Sequence, residues 1–175
     1  LQVPSAYTGT TIAYPVSATW FGVDVSPEPL TITTSMTYVL TASNVATLSV
    51  KVVGTRGQGL GGSQVNIENS AGTTVFSGVA DEQGMVSVEV PYGTYGVGVD
   101  YKGFTNTAAP TVNTSAGMAL TIRTDVFTEI FGQPMIFAEF VLLIFFAAVG
   151  VAALAMSISR IWRRKKLLLP PPPPP

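Results

Sequence analysis

Apolar and polar positions alternate with a period of two over most of the first 125 residues, and then give way to one unbroken apolar run. Val16, Ala18 and Trp20 alternate. Phe21, Val23 and Val25 continue on the other parity, a phase switch that predicts a strand with a bulge, ended by Ser26-Pro-Glu-Pro29. Leu30, Ile32, Met36, Tyr38 and Leu40 alternate with Thr31, Thr33, Ser35, Thr37 and Thr41, with Thr34 breaking the apolar row. The Thr row fits a solvated strand face of good β propensity, or a binding face. Further strands are predicted around Leu48, Val50 and Val52; Val65 and Ile67; Thr74 to Phe76; Val86, Val88 and Val90; Tyr95, Val97, Val99 and Tyr101; and Leu120 with Ile122. Turn residues punctuate them at 69–72, 81–84 and 91–93. Short strands at this spacing imply an antiparallel sandwich.

Residues 140–158 carry no charge, whereas a bilayer core needs roughly 20 helical residues to cross it. Backbone polar groups in lipid must be bonded within the segment, so the run is read as one transmembrane α-helix over 134–162. Pro134 suits its first turn, where a missing N–H costs nothing. Trp162 and the cluster Arg163, Arg164, Lys165 and Lys166 form its far boundary, an interfacial aromatic followed by the basic flank typical of the cytoplasmic side. The reading is single-pass in the plasma membrane, with residues 1 to about 133 extracytoplasmic and the tail cytoplasmic. Residue 1 is Leu and no leader is visible; export ahead of a C-terminal helix is expected to have used one.

Charge supports this division. Residues 1–133 hold nine acids and four bases, a net −5, and the remainder holds five bases and one acid, a net +4. An acidic outer domain disfavours nucleic acid, and the basic cluster suits topology and anionic lipid. The chain has no Cys and no His. That removes disulfides, His-based acid–base chemistry and thiolate or imidazole metal ligation. Neither a cofactor, a metal nor a catalytic residue is expected.

Three motifs invite sharper readings. Gly57-x-Gly59-x-Gly61 hints at a phosphate loop, but such loops open a helix, and here the strand Gln64–Glu68 follows, so a flexible β-turn is expected. Asp81 and Glu82 have no Asp-x-Asp ladder to complete a calcium shell, so they read as a hairpin turn. Asn113-Thr-Ser115 is the one Asn-x-Ser/Thr sequon, in an expected external loop, which makes Asn113 a possible glycosylation acceptor.

Residues 47 to about 123 carry a family resemblance. It rests on Leu48-Ser-Val-Lys-Val-Val-Gly54, Gly62-Ser-Gln-Val-Asn-Ile67, Gly78-Val-Ala-Asp-Glu-Gln-Gly84-Met-Val and Val90-Pro-Tyr-Gly-Thr-Tyr-Gly-Val-Gly-Val99. The Asp81-x-x-Gly84 turn and Pro91-x-Gly93-x-Tyr95 are its most specific parts. This segment resembles the carboxypeptidase regulatory-like module, a transthyretin-like (prealbumin-like), Ig-like β-sandwich. The resemblance implies seven strands and an accessory or binding role without catalytic residues, and it transfers no site.

The resulting layout is an N-terminal β extension over 1–45, a sandwich over 46–124, a juxtamembrane linker over 125–133, the helix over 134–162, and a basic, Pro-rich tail over 163–175. At about 100° per residue, Glu139, Leu143, Phe146, Gly150, Ala153 and Ser157 fall on one helix stripe suited to packing against another helix, with Ala148 and Ala152 on the opposite side. Glu139 reads either as an anchor at the outer headgroup boundary or as a partner contact. Pro170–Pro175 suits a polyproline II rod able to meet an aromatic groove, or an unstructured terminus. The pattern points first to a non-catalytic accessory subunit bracing the outer face of polytopic membrane proteins. The alternative is a cell-surface, S-layer-type anchor or adhesion protein that binds other surface proteins or glycans. A sensor working through the tail comes third.

Overall fold

Alternating apolar side chains on three strands form the centre of the buried core. Leu48, Val50 and Val52 come from one strand, and Val65, Ile67, Tyr95, Val97 and Val99 from two others; all are at most 4% exposed. Burying a side chain of this size contributes about 1.5–3 kcal/mol. The alternation therefore fixes the register of each strand, because a one-residue slip would turn the whole row to water.

The structure is a computed structural model that describes residues 11–13, 17–32, 37, 39–113 and 115–167. It divides into two units, Leu1–Asp125 and Val126–Pro175. In the first 45 residues of the first unit lie β1 (Thr11–Ala13), β2 (Thr19–Trp20), β3 (Val23–Asp24) and β4 (Leu30–Ile32). β1 pairs antiparallel with β4, and β2 with β3. The expected bulge near Trp20 is a tight turn instead. Phe21 and Gly22 have φ of 49° and 83°, the two positive values of a type I′ hairpin, and the reversal produces the phase switch. Residues 33–36 and 38, part of the expected Thr-rich strand, lie outside the described residues, as do 1–10.

The sandwich is built from β5 (Val45–Val53), β6 (Gln64–Asn69), β7 (Thr74–Val79), β8 (Met85–Pro91), β9 (Gly93–Tyr101), β10 (Phe104–Ala108), β11 (Thr111–Val112) and β12 (Met118–Arg123). One sheet has the order β10-β9-β6-β7, with β11 also on β9; the other has the order β12-β5-β8. All pairs are antiparallel except β12 on β5, which is parallel. The expected wholly antiparallel sandwich is thus mixed at one edge. β11 ends in the first sheet and β12 begins in the second, so the chain crosses between them and joins β5 in the same direction.

Both specific motifs are explained by the connections they make. Asp81 Oδ1 accepts from the N–H groups of Gln83 and Met85 at 2.9 and 2.8 Å, which closes the turn between β7 and β8; the two strands lie in different sheets, so the expected hairpin turn is a crossing from one sheet to the other. Gly84 has φ of 75°, and a Cβ there would meet Val52 O at 2.4 Å and Leu60 N at 2.7 Å. The Tyr95 hydroxyl donates to the carbonyl of Pro91, joining the end of β8 to β9 where the chain changes sheets. Gly59 and Gly61 of the glycine-rich turn press backbone to backbone against Gln83 and against Asp81 and Glu82. A β-turn was expected there; Gly59 and Gly61 allow its close packing.

The second unit holds β13 (Thr128–Ile130), β14 (Gln133–Met135) and α1 (Phe137–Leu167). The expected linker over 125–133 includes a strand, and the hairpin turn at Phe131 and Gly132 has φ of 51° and 78°, again type I′. Pro134 lies in β14 opposite Glu129 and not in the helix, which starts three residues later.

Gly84→Ala is expected to destabilise far more than Gly72→Ala. Both residues have positive φ, but nothing lies within 4 Å of a Cβ at Gly72. The conformational cost alone is about 1–2 kcal/mol; the backbone clash should carry Gly84→Ala to about 4 kcal/mol or more. Thermal unfolding of the two variants compares them directly, and equal losses would show that the 81–84 turn yields without cost.

Candidate functional site

Two regions offer functional surfaces, one in each unit. In the second unit, α1 presents Phe137–Trp162, 26 residues long and apolar enough to cross a membrane, none of them buried. At 1.5 Å per residue this is about 39 Å, more than a 30 Å hydrocarbon core requires. Glu139 sits in the first turn, where its Oε2 accepts from the backbone N–H of Ile136 at 3.1 Å. Ile136 is the residue before the helix, and its carbonyl accepts the first helical bond from Phe140 N at 3.1 Å. This is half of a capping box, with the acid also placed favourably on the positive end of the helix dipole. Phe127 stacks edge-on against Phe137 at 5.0 Å between centroids and tilts against Phe140 at 5.3 Å, while its N–H donates to Met135 O. The hairpin is thereby stapled to the start of the helix. Phe131 at the hairpin tip is fully exposed.

Phe146, Gly150, Ala153 and Ser157 are exposed along α1, and Cβ space at Gly150 is open. Trp162 ends the apolar span with 68% of its surface exposed. The backbone stays helical through Arg163, Arg164, Lys165 and Lys166, whose side chains lie outside the described residues. Pro170–Pro175 lies outside them as well. Asn113 is exposed just after β11, and Thr114 of its sequon is not described.

In the first unit, the outer face of the β10-β9-β6-β7 sheet contains a trough of about 310 Å³, with polar side chains at Asn66, Glu68 and Thr107 and apolar lining at Val97 and Ala108. Its floor is Gly96 and Gly98 on β9, which alternate with the buried Tyr95, Val97 and Val99. The register places Glu68 opposite Gly96, and Asn66 and Thr107 on either side of Gly98. A relay orients the Asn66 amide: Gln64 Nε2 donates to Ser77 Oγ at 3.3 Å, and that hydroxyl donates to Asn66 Oδ1 at 2.6 Å. With Oδ1 so engaged, the amide N–H groups of Asn66 are the donors it brings to the trough it lines. The alternation identified Tyr95, Val97 and Val99 but passed over the glycines between them; Gly at every second position of a strand was the available signal.

Among the described residues no group of three or more His, Cys, Asp or Glu side chains is placed to hold a metal. Two titratable groups depart clearly from their ordinary values. Hydrogen bonds from Ser26, side chain first and then backbone, lower the pKa of Asp24, and burial raises that of Tyr95. Both groups belong to the scaffold and neither faces the trough.

No protein-family model and no curated protein matches this chain. Solved structures with similar folds include the Streptococcal ancillary pilin, at 12% identity over 67% of this chain and 45% of that one, with a TM-score of 0.45. Another is BcpA, the major pilin subunit of Bacillus cereus, at 14% identity over 70% and 39%, with a TM-score of 0.42. A third is the 5-hydroxyisourate hydrolase of Klebsiella pneumoniae, at 16% identity over 45% and 90%, with a TM-score of 0.36. The chain also spans 21% of the Bacillus anthracis TIE protein, at a TM-score of 0.43, and so less than half the length of that protein and of the two pilins. At these scores the likenesses carry no functional argument. The β-sandwich with one C-terminal apolar helix rests on the strand order and the burial of its core rows.

Glu139→Ala removes the cap while leaving the apolar span intact. It is expected to weaken the first turn by about 0.5–1 kcal/mol, and to speed amide hydrogen exchange at Ile136 several-fold while Glu139→Gln does so less. Unchanged exchange in Glu139→Ala would assign the carboxylate a different role.

Proposed function

We propose that this chain is a single-pass, surface-displayed β-sandwich of the carboxypeptidase regulatory-like kind, non-catalytic, that binds other surface components and is held in the plasma membrane by α1. The observation that carries the reading is the helix: a 26-residue span apolar enough to cross a membrane, with no buried residue, following a unit of acidic and polar-faced character. The orientation follows from the basic run after Trp162, with the sandwich outside and the tail inside. In this reading Trp162 and the following bases sit at the inner headgroup level, and Asn113 is available for glycosylation.

The accessory-subunit reading draws on Gly150. Glycine in a helix interior costs about 1 kcal/mol relative to alanine, and the space above it is open to another helix. Glu139, the other group that pointed to a partner, is occupied in capping its own helix. The surface-display reading is therefore the simpler, because it needs only length and apolarity from α1.

Protease added to intact cells is expected to remove the sandwich and leave a membrane-protected fragment that begins near the hairpin. Protection of residues 1–125 until lysis would contradict the orientation. Gly150→Leu separates the two readings. Surface display predicts recovery equal to wild type, whereas a packed accessory helix predicts loss of stoichiometric co-purifying subunits, with Val149→Leu as the control about 100° away.

A further inference from the structure

Gly96 and Gly98 have no explanation within the fold. A glycine inside a strand costs roughly 0.5–1 kcal/mol relative to alanine, and such residues usually mark a positive φ, a crowded contact or the close approach of another molecule. Neither residue has a φ in the left-handed region, and a Cβ built on either meets nothing within 4 Å. The other glycines show what an internal reason looks like. Gly84 has both positive φ and backbone contact, Gly59 is crowded by Gln83, and Gly78 lies under the ring of Phe76. At 96 and 98 the side chains are missing on the open face of a strand flanked on both sides, directly over a tightly buried inner row.

We propose that this trough binds a neutral, hydroxyl-rich ring, a pyranose unit of a surface glycan. The proposal names the ligand class of the surface-display reading and rests on that reading only for where the glycan is met. A flat floor of glycine backbone lets a sugar ring lie close. The walls then supply what hydroxyls need: a carboxylate acceptor at Glu68, an amide donor at Asn66 and a hydroxyl of either sense at Thr107. No base lines the trough, and Glu68 repels anions, so phosphorylated or sulfated ligands are disfavoured. A volume of about 310 Å³ is at the lower end for small-ligand sites. A docked protein would need an apolar centre and roughly 800 Å² on each side, whereas the side chains that wall this trough, Asn66, Glu68 and Thr107, are polar.

The test uses the full chain in lipid nanodiscs prepared without sugar detergents or glycolipids, passed over immobilised neutral oligosaccharides of mannose, glucose, galactose and N-acetylglucosamine. Sulfated oligosaccharides and lysine-rich extended peptides serve as the other arms. Binding to at least one neutral series is expected. Gly98→Thr and Gly96→Thr should each weaken it at least tenfold while leaving the melting midpoint unchanged or raised by about 2 to 4 °C. Lys51→Thr, on the other sheet, should bind like wild type. The proposal is overturned if no neutral sugar binds, if both threonine variants bind as wild type does, or if only the sulfated sugars or the peptides are held. Nanodiscs expose both membrane faces, so failure here leaves the surface-display reading standing, and an inverted orientation on cells leaves the binding result standing.

Discussion

The contact on which the sandwich depends is a backbone-to-backbone seam between the 59–61 turn and the 81–84 turn. Val52 N donates to Gly84 O at 2.7 Å, Leu60 N donates to Val52 O at 3.0 Å, and Gly62 N donates to Ala80 O at 3.1 Å. The approach is possible only because Gly59, Gly61 and Gly84 carry no Cβ. The seam ties the end of β5, the start of β6 and the start of β8 at one point, and so brings the two sheets into register at one end of the core. At the other end the Tyr95 hydroxyl, held by the Pro91 carbonyl, fixes the step from β8 to β9. The Tyr95 tie and the Val52, Leu60 and Gly84 part of the seam are buried, and buried polar groups are costly to leave unpaired. These contacts tie the two sheets together at both ends of the core.

Crowding separates two kinds of glycine in the chain. Those of the seam are demanded by the fold, and a methyl group there would push backbone apart. Those of the trough are not, and the strand would be better off with side chains at both positions. β9 can carry them because its inner row, Tyr95, Val97 and Val99, is almost wholly buried and holds the strand in place. The second unit follows similar logic with aromatic side chains in place of backbone. Phe127 against Phe137 and Phe140 fixes the hairpin to the helix, and Glu139 closes the cap at its start.

Much of this was legible in the order of residues. Alternation placed the core strands, because burial on one face of a sheet imposes a period of two. The apolar run declared the helix, because a single charge would have been expensive in its middle. Asp81-x-x-Gly84 announced a turn through the chemistry of an Asp that bonds its own backbone. What stayed hidden was set by contacts distant in sequence or by unusual backbone. Phe21 and Phe131 adopt positive φ, which turn rules assign to Gly, Asn and Asp, so one hairpin looked like a bulge and the other lay within an expected linker. Pro134 fits a first helical turn and an edge strand equally well, and Glu139 decided between them. Parallel and antiparallel strands share one alternation, so the direction of β12 could not be read. The trough required β9 to be set between β6 and β10 before its glycines could be seen to share a face with Asn66, Glu68 and Thr107.

The central claim is that α1 crosses a membrane and displays the sandwich on the outer side. The natural absence of cysteine makes a direct measurement possible. Single cysteines are introduced as Thr73→Cys, in an exposed turn of the sandwich, and as Lys166→Cys, beyond the apolar span. Intact cells are treated with a membrane-impermeant maleimide. Labelling at position 73 in intact cells, with labelling at 166 only after permeabilisation, is the result this account requires. Labelling at 166 with protection of 73, or equal labelling of both before permeabilisation, would contradict it.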